Sequence, residues 1–158
     1  MTPAVKLLDK LKIAYQLHQY HHDESAASYG LEAAEKLAVD AKKIFKTLVV
    51  EMENKSLAVA IVPVENQLTL KNVAKVLKCK KVIMAEPKRV QTTTGYVLGG
   101  VSPLGQKKRL KTVIDKSSQQ FSTIFVSGGK RGLEIEISPN DLILVLSAIV
   151  GNIKTNEC

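Results

Sequence analysis

Tryptophan is absent from this chain, and only three phenylalanines and four tyrosines occur in 158 residues. With so few rings, stacking on unpaired bases can be at most local. Cysteine is scarce too: Cys79 and Cys158 lie far apart, which makes neither a disulfide framework nor a zinc spacing. The three histidines, His18, His21 and His22, fall in one stretch, and the adjacent pair points in different directions, so no metal is expected. No apolar run approaches the ~20 residues of a membrane helix; the longest, Leu142 to Val150, is broken by Ser147. Lys6, Asp9 and Lys10 stand where a signal peptide would be apolar, so the expectation is a reduced, cytosolic protein without a membrane. There is no glycine loop ending in Gly-Lys-Ser/Thr, which argues against nucleotide hydrolysis. Pro103 after Ser102 denies a nucleophile elbow, and only Lys and Arg lie nearby as a base.

What is present is ordinary for a globular domain, with 45% hydrophobic and 24% charged residues, and the length suits one domain over 1–158. The net charge of +8 favours a polyanionic partner. Only three of the 23 basic residues are arginine, at 89, 109 and 131. Lysine suits phosphate backbones, whereas base readout prefers bidentate arginine, so the profile fits contact with a folded RNA's backbone. A merely solvated basic surface is the alternative.

Thr2-Pro3 predicts a helix start, with Val5, Leu8 and Leu11 on one stripe. Ile13, Tyr15 and Leu17 alternate as a half-buried strand through Tyr20, and Leu31, Ala34 and Leu37 suggest a short helix after a polar loop, His21 to Ser28. Phe45 to Glu51 and Leu57 to Val64 read as a hairpin across Asn54-Lys55. Thr69 caps a helix carrying Val73, Val76 and Leu77; Lys81 to Ala85 is a short strand; a polar helix ends before Gly95. Strands follow at Leu110 to Ile114, Thr123 to Val126 and Leu133 to Ile137, and Ser138-Pro139 opens a last helix with Leu142, Val145, Leu146 and Ile149. The fold class is α/β (mixed α+β), with a largely antiparallel or mixed curved sheet rather than a doubly wound one.

Three features are unusual for a plain core. Lys46 shares a strand face with Leu48 and Val50, so its ammonium either reaches solvent or meets an anion. Gly99-Gly100-Val101-Ser102-Pro103-Leu104-Gly105 is either a turn or a cradle whose backbone N–H groups face a phosphate or an oxyanion. Ser127-Gly128-Gly129-Lys130-Arg131-Gly132 carries the same two readings, and the two glycine turns could line one cleft. Cys79, between Lys78 and Lys80, would have a lowered thiol pKa if exposed, but the helix–strand junction favours a buried structural role.

Together, Val39-Asp40 with Ile44 to Leu48, Gly99 to Lys108, and Ser127 to Glu134 resemble the motifs of trans-acting aminoacyl-tRNA deacylases. These relate to the editing (insertion) domain of bacterial prolyl-tRNA synthetase, and the YbaK-type branch is the nearest. The likeness spans about Thr2 to Gly151. It implies a barrel-like mixed sheet flanked by helices, and removal of cysteine from Cys-tRNA(Pro), with Cys-tRNA(Cys) as a further substrate. It also implies a complex with prolyl-tRNA synthetase and no cofactor. On this resemblance Lys46 lies near the tRNA's terminal phosphate and adenosine, and Gly99 and Gly100 line the aminoacyl ester. Val101, Ser102 and Pro103 belong to the same loop, while Tyr20, Tyr29, Thr47, Ser127 and Glu134 match pocket positions. Tyr29 and Glu134 stand where the pattern leads one to expect Phe and Asp. The substrate's own thiol would attack its carbonyl, so the enzyme contributes geometry and main-chain dipoles. The rival readings are a sister deacylase for alanine or another small amino acid, using a positioned water, and a non-catalytic RNA-binding or ribosome-associated module.

Overall fold

Four helices begin where a hydroxyl can accept an otherwise orphaned amide, as their sequences require. Thr2 caps α1 (Pro3–Leu11) at Val5 N, Ser28 caps α2 (Tyr29–Lys36) at Leu31 N, Thr69 caps α3 (Leu70–Leu77) at Asn72 N, and Ser138 caps α5 (Pro139–Leu146) at Asp141 N. The remaining helix, α4 (Pro87–Thr94), has no side-chain cap; it starts on proline and ends at Gly95, whose φ of 83° is left-handed. The computed structural model describes residues 1–25 and 28–155; Cys158 and part of the expected His21–Ser28 loop lie outside them.

The strands are β1 (Gln16–Gln19), β2 (Phe45–Met52), β3 (Leu57–Pro63), β4 (Val82–Met84), β5 (Lys111–Asp115), β6 (Ile124–Ser127), β7 (Leu133–Ile137) and β8 (Ile149–Gly151). They form an antiparallel sheet, β1-β7-β6, and a mixed one, β4-β2-β3-β5-β8. The expected hairpin is the antiparallel β2–β3 pair, with Lys46 opposite Val62, while β3–β5 and β5–β8 run parallel. A bridge between Ile44 and Phe125 joins the sheets, and both residues are buried.

Every residue of β3 is buried, because both its faces are covered. Ala58 and Ala60 lie under Val73, Ala74 and Leu77 of α3. Val59 and Ile61 face a larger core of α1 (Ala4, Val5, Leu8), Ile124, Val126, Ile135, Ile137 and Leu142. Each fully buried Val, Leu or Ile side chain among them is worth roughly 1.5–3 kcal/mol.

Three expectations are corrected. The last helix stops at Leu146: Ser147 adopts a left-handed φ of 51°, and Ile149 joins β8 beside β5. In α2 the buried residues are Glu32 and Ala33, whereas Leu31 is 46% exposed, because Glu32 takes an inward hydrogen-bonding role described below. The alternation from Ile13 becomes ladder only at Gln16, and Leu17 is more than one-third exposed on an edge strand.

Asp115, the last residue of β5, ties down the chain that follows β8. Its buried carboxylate accepts from Ile153 N at 2.9 Å, Lys154 N at 3.1 Å and Ser117 N at 3.0 Å. Asp115→Ala strands these amides, and unmet buried donors cost about 1–3 kcal/mol each. The expected loss is about 2 kcal/mol or more in a urea melt; an unchanged midpoint would show that the carboxylate holds nothing.

Candidate active site

One cleft of about 480 Å³ gathers the three motifs. Its floor is β2, including Lys46 and Thr47; one wall is the glycine loop through Gly99 and Val101; another is the β6–β7 turn with Ser127, Arg131 and Glu134. Tyr20 and Tyr29 close the side formed by α2 and the strand before it, and Ala85, Pro87 and Val90 complete the opposite rim.

The loops are fixed by their own bonds. Thr2 Oγ1 donates to Gly128 O at 2.5 Å, tying α1 to the β6–β7 turn. Gly128 N donates back to Leu133 O at 2.8 Å, and Gly129 N to Ser127 Oγ at 3.1 Å. In the glycine loop, Tyr96 Oη donates to Leu104 O at 2.6 Å, Leu104 N to Ser102 Oγ at 3.2 Å, and Gln106 Nε2 to Ser102 O at 2.9 Å. A Cβ on Gly100 would meet the Lys130 Cα at 2.8 Å, so only glycine lets the two turns pack. Gly99 has φ of 86°, and a Cβ there would meet Arg131 Nε at 2.4 Å and Tyr29 Cε2 at 2.7 Å.

Eight of the expected site residues therefore line one cleft: Tyr20, Tyr29, Lys46, Thr47, Gly99, Val101, Ser127 and Glu134. Gly100, Ser102 and Pro103 lie behind the wall, where Ser102 is wholly buried and Gly100 N donates to Val97 O at 3.0 Å. The amides of Gly99 and Val101 make no hydrogen bond among the described residues.

The electrostatics are asymmetric. Lys46 is half-buried, makes no ion pair among the described residues, and burial lowers its pKa. Glu134 is only 8% exposed and equally unpartnered, and burial pushes its carboxyl up to about 8. Burial, followed by the charges of Glu134 and Glu32, pushes Tyr20 up to about 12. Thr47 Oγ1 is buried without a hydrogen-bond partner. A cleft that holds an unmet cation, an unmet carboxyl and an unmet hydroxyl is shaped for a polar ligand that satisfies all three.

Sequence reading missed Arg131 as a site residue: in its motif the glycines drew the inference, and the guanidinium's place depends on contacts from α2. It also missed the apolar rim of Ala85, Pro87 and Val90, which the strand-to-helix junction at Glu86-Pro87 brings over the cleft.

Neither the histidines nor Cys79 lines the cleft. His18 Nε2 lies 2.9 Å from Glu136 Oε1, and His22 Nδ1 lies 2.7 Å from Glu32 Oε1. No group of three or more His, Cys, Asp or Glu among the described residues could hold a metal ion. Cys79 is partly exposed rather than buried; its thiol pKa is raised, by burial first and then by the charge of Glu53. No helix among the described residues is long and apolar enough to cross a membrane.

Comparison with known proteins places this arrangement. Residues 23–144 match the model of the aminoacyl-tRNA editing domain. EbsC of Enterococcus faecalis, a candidate Cys-tRNA(Pro)/Cys-tRNA(Cys) deacylase, is 36% identical over 156 residues, covering 99% of this chain and 94% of that protein. YwhH of Bacillus subtilis, an uncharacterised protein, is 27% identical over 119 residues, 75% of each chain. The crystal structure of a candidate trans-editing enzyme for prolyl-tRNA synthetase superposes with a TM-score of 0.85 at 21% identity, covering 98% of this chain and 96% of that one.

Proposed function

The chain belongs to the aminoacyl-tRNA editing family, and from that premise we propose that it is a trans-acting deacylase that clears cysteine from Cys-tRNA(Pro) and Cys-tRNA(Cys). One editing domain spans residues 1–158, and it works in the cytosol, where charged tRNA is used.

The observation that carries the reading is the cleft's inventory. It presents an unpaired ammonium at Lys46, free main-chain amides at Gly99 and Val101, and a buried carboxyl at Glu134. Its serine hydroxyls are engaged locally: Ser28 Oγ accepts from Leu31 N, and Ser127 Oγ from Gly129 N. Such a site binds and polarises an ester better than it attacks one.

Lys46 holds a phosphate of the tRNA's 3′ end, the Gly99 and Val101 amides face the ester oxygen, and Glu134 with Tyr20 faces the α-ammonium group. Each well-aimed amide is worth ~3 kcal/mol to the developing oxyanion. Gly100, Ser102 and Pro103 shape the loop, and Tyr29, Thr47 and Ser127 fix the pocket walls. Cysteine's sulfur forms a bond to its own carbonyl carbon, the carbon–oxygen bond to the ribose breaks, and the thiol proton ends on the ribose hydroxyl. The products are a thiolactone and free tRNA. With three arginines and seven aromatics in the whole chain, choice among tRNAs falls to a complex with prolyl-tRNA synthetase.

The test is product identity from Cys-tRNA(Pro), with Ser-tRNA(Pro) and Ala-tRNA(Pro) run alongside. Thiolactone from the cysteine substrate, with serine and alanine released far more slowly, is the expected outcome. Serine released as fast as cysteine would end the thiol mechanism, and faster release of alanine would indicate a positioned water.

A further inference from the structure

Arg131 is held by a tyrosine and a histidine. Its guanidinium lies 4.0 Å from the centre of the Tyr29 ring, and Nη2 donates to the Tyr29 hydroxyl. That hydroxyl exists because position 29 is Tyr rather than Phe. On the other side, Nη1 lies 3.4 Å from His22 Nε2. His22 in turn places Nδ1 2.7 Å from Glu32 Oε1, so the imidazole bridges Glu32 and the guanidinium.

Glu32 is the hub behind this contact. Its side chain is 4% exposed, and it also meets Asp23 N at 2.6 Å and Lys36 Nζ at 3.2 Å. Burial alone would raise the Glu32 pKa, but the bonds from His22, Asp23 and Lys36 bring it below the usual carboxylate range. An ionised Glu32 therefore anchors His22, and His22 anchors Arg131. The fork packs against Gly99, where no side chain fits.

Despite this ordering, Arg131 pairs with no carboxylate among the described residues. The Tyr29 ring and the His22 imidazole orient the guanidinium without placing a carboxylate on it. A fixed, uncompensated planar fork on a cleft wall matches the bidentate geometry of a phosphate. Resting on the reading above, we infer that Arg131 binds a phosphodiester of the tRNA's 3′ end, with Tyr29, His22 and Glu32 as its positioning residues.

The experiment titrates the uncharged trinucleotide CCA, and separately adenosine, into the wild-type protein, Arg131→Gln and Arg131→Lys, with thermal melts to confirm folding. Arg131→Gln is expected to weaken CCA binding about tenfold, since a charge-assisted fork is lost, and to leave adenosine binding unchanged. The slope of log Kd against log salt should fall by about 0.7, the value of one single-strand phosphate contact. Arg131→Lys keeps the charge without the fork and should lie between the two. Equal CCA binding by wild type and Arg131→Gln overturns the proposal. So does an equal loss of adenosine, which would make Arg131 a wall only, and so does a wild-type protein that binds no CCA. Deacylation is scored separately: CCA binding that depends on Arg131, without release of cysteine from Cys-tRNA(Pro), upholds this inference and sinks the reading it rests on.

Discussion

Lys46→Ala is expected to lower kcat/KM for Cys-tRNA(Pro) about 100-fold while leaving the melting temperature unchanged or slightly higher. The two halves of this result have one cause. Lys46 is half-buried on β2 with no anion among the described residues to meet it. A desolvated ammonium without a partner opposes folding, so its removal does no harm to the fold. When a phosphate occupies the cleft, the same desolvation strengthens the attraction, and charge-assisted contacts of this kind are worth about 1.5–3 kcal/mol. The upper end corresponds to roughly 100-fold. Steady-state kinetics and a thermal melt check it together; full turnover by the alanine variant would remove Lys46 from the site.

The second large effect lies in stability against pH. Burial pushes Glu134 up to about 8, whereas in the unfolded chain it titrates near 4.5. The folded protein therefore holds a proton that the unfolded chain has released throughout that interval. The contribution of Glu134 to stability is complete below about pH 4.5, declines as pH rises, and is lost above about 8. At 1.36 kcal/mol per pH unit, the decline amounts to roughly 5 kcal/mol, or a melting shift on the order of 10 °C in a chain this size. Glu134→Gln cannot titrate, so the variant should match wild type near pH 5 and melt well above it at pH 9. Other carboxylates are common to both proteins and cancel in the difference. Parallel curves across this range would show that Glu134 is solvated or paired.

Much of this molecule is legible without coordinates. Thr2-Pro3, Thr69 and Ser138-Pro139 announce helices because an N-terminal amide needs a nearby hydroxyl, a local requirement. The β2–β3 hairpin is announced by Asn54-Lys55, and Lys55 adopts a left-handed φ of 73°. The convergence of Lys46, Gly99 and Glu134 on one cleft is different in kind. Nothing in their spacing brings them together, and the motif resemblance supplied that expectation. The failures are tertiary. Glu32 buries in place of Leu31 because His22, Asp23 and Lys36 converge on its carboxylate. Ile149 leaves the helix because β5 offers it a parallel edge. Gly100 looked like an amide donor to substrate, but Val97 had already taken its N–H.

The strand walled in on both sides has a bearing on how such a chain can diverge. Ala58 and Ala60 share a buried cluster with Val73, Ala74 and Leu77 of α3, so a larger residue there calls for a smaller one among its neighbours. That layer can change only by coordinated replacement. Tyr29 and Arg131, by contrast, stand on a helix start and a turn at the rim. A replacement at the rim therefore needs no matching change in the layer beneath, whereas one within that layer does.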